Sequence, residues 1–286
     1  MNYHNAEKSY LYRNKTPIPE ASMDFYFKTA YNSLLKDEIA EYVNRNKIVH
    51  IEKIPESVRE TYYVDLARGL GYLFRKDYDP INKVLHDDKW TEVEYDERYI
   101  HQTYKHSNKS QPLHTDYCNS RINLDLVVLI CEQPAEIGGA TVFIDSRELV
   151  RILEKYNPEL LSAIESTTVL YGKSPSPVFN NTATILTYDE EGEPMLSWNY
   201  AVVSDNNPPE VLETVNKFHD FLETFVSRSG HLTEIKLAAG DVAIFHDRYL
   251  LHGRNSFFGY RKLLKGGIMT RNIEENLAYI KNYLKV

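Results

Sequence analysis

The chain has 286 residues, 42% of them hydrophobic and 26% charged, with a net charge of −8 and a pI near 5.7. That length and composition suit one large globular domain or two small ones. No basic block is present, so nucleic acid and anionic membrane surfaces are not expected partners. No apolar run reaches the ~18 residues of a membrane span, and no signal region opens the chain, which makes the cytoplasm the expected compartment. Cys118 and Cys131 are the only two cysteines and read as reduced thiols.

In chain order, residues 1–22 are polar and carry Pro17 and Pro19, which suggests an irregular lead-in. Residues 33–44 predict a helix with Ile39, Ala40 and Val43 on its apolar stripe. Residues 47–51 predict a buried strand, and Pro55 opens a second helix over 56–70. This helix–strand–helix start is expected to cap a core built elsewhere. Short strands follow at 124–131 and 140–144, with Gly138-Gly139 as the turn before the second. Ser146 is the expected N-cap of a helix over 147–156, and Pro158 can start another. Residues 172–197 are rich in Pro, Asn and Gly and predict a long loop or loose hairpin, with 172–200 as a candidate lid. Pro209 starts the strongest helical pattern, Val211 to Phe225. Strands are expected again at 232–237, 241–245 and 261–269. The whole reads as one domain over 1–286, a β-sandwich or barrel core interrupted by helices.

The chemistry concentrates in Gln111-Pro112-Leu113-His114-Thr115-Asp116-Tyr117. In a strand, residues i and i+2 share a face, so His114 and Asp116 present an imidazole and a carboxylate side by side. Two histidines and one carboxylate on one face make the open iron site of non-haem oxygenases. Far downstream, His252 lies in Leu251-His252-Gly253-Arg254, and Arg261 follows nine residues later.

Taken together, Leu113-His114-Thr115-Asp116, Gly138-Gly139-Ala140-Thr141, Gly240-Asp241, Leu251-His252-Gly253-Arg254 and Arg261 resemble the iron(II)- and 2-oxoglutarate-dependent oxygenases of the taurine dioxygenase (TauD/TfdA) family. The closing part is also similar to the γ-butyrobetaine and trimethyllysine hydroxylase branch. The resemblance implies a double-stranded β-helix, a cupin-like jelly roll that is mainly β with flanking helices. It implies His114, Asp116 and His252 as iron ligands. Arg261 would bind the distal carboxylate of 2-oxoglutarate with help from Thr141. An arginine suits that task because its planar fork pairs bidentately with a carboxylate. Related halogenases lack the carboxylate ligand, so Asp116 favours hydroxylation, desaturation or a similar oxidation. Where the family pattern runs Asp-Asn-Arg before the distal histidine, this chain has His246-Asp247-Arg248. That makes His246 a neighbour of the metal site or an alternative ligand, and Arg254 and Arg271 are rivals of Arg261.

On a strand opened by Arg261, residues 263 and 265 share its face, so Lys265 would point inward. A buried cation needs an anion, and a carboxylate or similar group on the substrate is the expected one. The alternative is a lysine that reaches out of the barrel end. Tyr104, Tyr117, Asn119, Trp198 and Tyr200 are candidate pocket walls, each with ordinary packing as the competing account. The expected activity is oxidation of an unactivated C–H of a small molecule by dioxygen, with release of succinate and CO2. An amino acid or other small acid is the expected substrate; the oligomeric state is left open. Two other classes fit parts of the pattern: a jelly-roll metal- or ligand-binding protein without turnover, and a zinc hydrolase using the same three ligands.

Overall fold

The computed structural model describes residues 25–284, apart from 33–34, 75–76, 80–83, 87–89, 99–103, 123 and 173–179. The lead-in over 1–22 lies outside them. Two main sheets hold the core. Their strands are β1 (Tyr26–Ala30), β2 (Ile48–Glu52), β3 (Tyr72–Phe74), β4 (Thr91–Glu94), β5 (Gln111–His114), β6 (Leu126–Gln133), β7 (Thr141–Asp145), β8 (Thr233–Ile235), β9 (Val242–His246), β10 (Leu250–Arg254) and β11 (Lys262–Met269). The seven-stranded sheet runs β1-β2-β9-β6-β11-β3, with β4 also paired to β11; the four-stranded sheet runs β8-β7-β10-β5. All these pairs are antiparallel except β1 with β2.

Period-two alternation assigns each side chain to a layer. From β6, Val127, Leu129 and Cys131 face inward to meet Phe143 of β7, Phe245 of β9, Leu250 of β10 and Leu263 of β11 in one layer between the sheets. Leu126, Val128 and Ile130 point the other way, onto the helices α1 (Leu35–Arg45) and α2 (Arg59–Leu70). This two-sided burial explains why β6 is a continuous apolar run rather than an alternating one. Val142 and Ile144 of β7 face a third layer with α3 (Ser146–Tyr156), α4 (Pro158–Ser166) and α5 (Pro209–Phe221).

Several expectations are corrected. The early helix–strand–helix unit is not a cap: β2 pairs with β1 and β9 inside the large sheet, and Ile48, Val49 and Ile51 are fully buried. Asp145, not Ser146, caps α3; its Oδ1 accepts the Arg147 N–H at 2.8 Å, while Ser146 Oγ donates to the Pro194 carbonyl at 2.7 Å. The helical pattern expected from Val211 to Phe225 is not one regular α-helix, since α5 ends at Phe221. It passes into one π-helical turn over Leu222–Val226, closed by Ser227 N–H on the Leu222 carbonyl. Of the loop or loose hairpin expected over 172–197, the described part, 180–197, takes the hairpin form. Asn181–Thr184 pairs with Thr168–Tyr171, and Leu186–Tyr188 pairs with Pro194–Leu196. A closing helix, α6 (Ile273–Leu284), was not expected; its Ile273 and Leu277 pack beside Ile122, Leu124 and Met269. Among the described residues no helix is long and apolar enough to cross a membrane.

Candidate metal centre

The inner layer changes character along its strands. On β10 the inward positions are Leu250, His252 and Arg254, so packing gives way to an imidazole and then a guanidinium. His252 pairs with His114 of β5 on one side and Phe143 of β7 on the other. That register brings the two imidazoles together, tilted by 44° with ring centroids 4.2 Å apart, and Phe245 flanks His252 at 4.9 Å. Asp116 follows His114 by two residues and turns its carboxylate between the rings. Its Oδ1 lies 3.7 Å from His114 Nε2 and its Oδ2 3.6 Å from His252 Nε2. One ligand atom from each of the three falls within 4.8 Å of the others.

The donor set fits a divalent cation. His114 Nδ1–H donates to the Pro112 carbonyl at 2.9 Å, which leaves the Nε2 lone pair facing the centre. Burial lowers the pKa of both imidazoles, and the neighbouring His114 lowers His252 further, so both are neutral at neutral pH. Burial alone would raise Asp116, but the Lys265 ammonium beside it is the largest opposing cause, and the carboxylate stays below its ordinary range. Asp116 Oδ2 is buried and has no hydrogen-bond partner. Such an orphaned oxygen beside two imidazole nitrogens is what a metal ion would satisfy.

Two protein donors already reach into the centre. Lys265 of β11 points inward, as the strand parity requires, and its Nζ donates to Asp116 Oδ1 at 2.8 Å. Burial disfavours the ammonium, yet the adjacent Asp116 carboxylate raises its pKa on balance. Gln111 Nε2 donates to His114 Nε2 at 3.1 Å. Tyr117 takes a positive φ of 56°, turning the chain sharply after Asp116. Its ring lies 5.5 Å from Lys265 Nζ, and burial pushes its hydroxyl up to about 12.

Arg261 and Arg254 separate clearly. The Arg261 side chain is buried and makes no hydrogen bond or ion pair among the described residues. Burial lowers it to about 10, still protonated at neutral pH. It lines a narrow cavity with Thr141, Gly138, Gly139, Cys131 and Lys236. Gly138 and Gly139 both have positive φ, and a Cβ on Gly138 would collide with the Ser256 carbonyl oxygen, so this turn requires glycine. Arg254 instead donates to three carbonyls, those of Tyr104 at 3.2 Å, Ser107 at 2.6 Å and Lys109 at 2.7 Å. It staples the 104–109 segment to β10. Arg271 pairs with Asp125 at 3.0 Å.

The other expected residues scatter. Tyr104 and Tyr200 line a small cleft that reaches Gln111 and His114. Tyr117 lines a separate cavity of about 190 Å³ against Asp116, Cys118 and Arg248. Asn119 lines neither of these. Trp198 is fully buried in the helical layer, edge-on to Phe218 at 4.6 Å, so it is core rather than an open wall. Its backbone N–H donates to Thr115 Oγ1 at 3.0 Å and its carbonyl accepts the Thr115 N–H at 2.6 Å, fastening the end of the candidate lid to the ligand-bearing segment. His246 is not at the centre: its Nε2 donates to the Val43 carbonyl at 2.8 Å on the far side of β9. The residue beside it, Asp247, is the one that reaches the metal ligands. The departure from the Asp-Asn-Arg pattern marked this stretch, but the parity of the turn after β9 decides which of the two faces inward.

No curated protein matches the chain. Solved structures that resemble it include an asparagine oxygenase in complex with Fe(II), 2S,3S-3-hydroxyasparagine and succinate, at 15% identity and TM-score 0.65, covering 84% of this chain and 80% of that one. A taurine dioxygenase from Burkholderia xenovorans aligns at 14% identity and TM-score 0.59 over 86% of both chains. The non-heme iron oxygenase OrfP in complex with (3S)-hydroxy-L-Arg aligns at 13% identity and TM-score 0.60, over 85% of this chain and 82% of that one. These likenesses bear on the fold. Residues 14–267 match the model of one family, and on that match the chain belongs to the taurine catabolism dioxygenase TauD, TfdA family.

Proposed function

We propose that the chain hydroxylates or desaturates an unactivated C–H of a small molecule carrying an acidic group, an amino acid in the first instance. Its chemistry is that of an iron(II)- and 2-oxoglutarate-dependent dioxygenase. His114, Asp116 and His252 would hold the iron, which supplies open positions where 2-oxoglutarate and dioxygen are converted to succinate and CO2 as the C–H is oxidised. The observation that carries the reading is Arg261: a buried guanidinium without a protein anion among the described residues, lining a narrow cavity with Thr141, Cys131 and Leu263. Such a charge is costly unless a ligand anion meets it, and Thr141 on the same cavity offers a hydroxyl to it.

Lys265 supports the acidic substrate. It faces the centre, and its present partner Asp116 would be shared with a metal, leaving ammonium protons for a second anion. The asparagine oxygenase and OrfP structures contain hydroxylated amino acids, which points to the same substrate class. We read the two facing sheets as the double-stranded β-helix of the family, and 1–286 as a single oxygenase domain. The Leu251-His252-Gly253-Arg254 strand supports likeness to the γ-butyrobetaine and trimethyllysine hydroxylase branch. Cys118 and Cys131 are both free and buried, which agrees with a cytoplasmic setting.

The test is succinate release across a panel of amino acids and small acids with Fe(II), 2-oxoglutarate and air. Stimulated succinate formation by one class of acid is expected. No succinate with any of them, and no visible charge-transfer band with Fe(II) and 2-oxoglutarate under nitrogen, would leave a binding protein without turnover. Hydrolysis with zinc in place of iron would instead point to a hydrolase.

A further inference from the structure

Asp247 occupies the turn between β9 and β10 and is 1% exposed. Its Oδ1 accepts the Asp116 backbone N–H at 2.8 Å and lies 3.8 Å from His252 Nδ1. It thus reaches two of the three metal ligands with one oxygen. His252 Nε2 faces Asp116, so a metal would take that nitrogen and the ring proton would sit on Nδ1. In the structure Nδ1 is buried and has no hydrogen-bond partner. The 3.8 Å separation is longer than a hydrogen bond, and Asp247 is the carboxyl group that faces Nδ1 across it. Asp247 itself is anchored, because its backbone N–H donates to the Asp125 carbonyl at 3.0 Å.

We infer that Asp247 is a positioning residue for the metal. It fixes the Asp116 backbone, aims the His252 ring and makes His252 a stronger donor, while touching neither metal nor substrate. A carboxylate on the far nitrogen of a ligating imidazole sets its tautomer and orientation, and loss of such a partner costs about 10–100-fold in metal affinity. The inference rests on the metal site proposed above.

The test uses the full-length, metal-free chain titrated with Co(II), followed by its visible absorption and by thermal melting. Asp247→Asn keeps an oxygen for the Asp116 N–H but replaces the carboxyl group facing His252 with an amide that cannot ionise. We expect it to melt near wild type without metal, to bind Co(II) about 10–100-fold more weakly, and to show a shifted absorption band. Binding within twofold of wild type with an unchanged band would overturn the inference. Wild type itself gives a second readout. The Co(II)-loaded protein should show two shifted, slowly exchanging ring N–H protons in its NMR spectrum, one from His114 on Pro112 and one from His252 on Asp247. Only one such proton, from His114, would also overturn it, whether or not the variant folds. A wild-type chain that binds no Co(II) would instead remove the metal site on which the inference stands.

Discussion

Lys265 sets its ammonium 2.8 Å from Asp116 Oδ1, at the heart of the metal centre. Without metal the pair is mutually dependent, since each charge is largely withdrawn from water. Removing one partner of a buried pair typically costs about 3–5 kcal/mol. Lys265→Met should therefore destabilise the metal-free chain by roughly 3 kcal/mol, toward the lower end because the lysine keeps some solvent contact. A divalent cation would relieve the stranded carboxylate, so adding Fe(II) or Co(II) under nitrogen should raise the Tm more in Lys265→Met than in wild type. The same variant should raise KM for an acidic substrate. Equal metal-induced Tm shifts in the two proteins would show that the pair is not competing with the metal.

Arg254 and Arg261 flank the same ring, that of Phe257, at 5.1 and 5.7 Å, yet they should respond oppositely to replacement. Arg254→Met strands three carbonyls that the guanidinium now satisfies. At about 1–3 kcal/mol for each buried group left unmade, partly recovered by relaxation, a loss of about 3–5 kcal/mol is expected. Arg261→Met removes a buried charge that has no protein partner, so stability should hold or rise. Its affinity for 2-oxoglutarate should fall by tenfold or more, read from the charge-transfer band of the anaerobic Fe(II) complex. If Arg254→Met lost 2-oxoglutarate binding while remaining as stable as wild type, the two roles would be reversed.

The contrast between these arginines marks how far the sequence is legible. His114, Asp116 and His252 stand out because the two-residue spacing and the strand period place their side chains without knowledge of the fold. The inward face of Lys265 follows from the same period, counted from Arg261. What the period cannot show is which partner a side chain meets. Arg254 finds its carbonyls in the 104–109 segment, almost 150 positions earlier, and Lys265 finds Asp116 across two sheets. His246 was singled out over Asp247 because a histidine looks like a ligand; only the turn after β9 reveals that His246 faces Val43. The early strand β2 was legible as a buried strand, but its place inside the large sheet was not, since its partners β1 and β9 lie on opposite sides of it in sequence.

His246 makes a prediction about pH. Burial lowers its pKa below the ordinary value of 6.5, and its Nε2–H is committed to the Val43 carbonyl. As pH falls, the unfolded chain takes up this proton first. The stabilisation is therefore complete above about pH 6.5 and is lost progressively below it, down to the folded pKa. Each such group contributes a slope of up to about 1.4 kcal/mol per pH unit in that window. His106, also lowered by burial, acts in the same direction. In metal-free protein, His246→Gln should lower stability modestly at pH 7.5 and flatten the decline that begins as pH falls below about 6.5. Urea midpoints across that range measure it, and parallel curves for the two proteins would contradict the assignment.

Gln111 gives the last prediction. His114 Nδ1–H is engaged by Pro112, so Nε2 carries the lone pair, and the 3.1 Å contact must run from the Gln111 amide N–H to that nitrogen. The bond occupies the lone pair that a metal needs. Metal binding must break it, and the freed amide is left on the wall of the cleft shared with Tyr104 and Tyr200. A hydrogen bond of this kind is worth about 0.5–1.5 kcal/mol net. Gln111→Leu should then bind Co(II) more tightly, by roughly twofold to tenfold at about 1.4 kcal/mol per decade. Gln111→Glu should bind more tightly still, because it removes the competing donor and adds a charge. A weaker Co(II) complex in Gln111→Leu would mean that the amide supports the bound metal's surroundings rather than competing for His114.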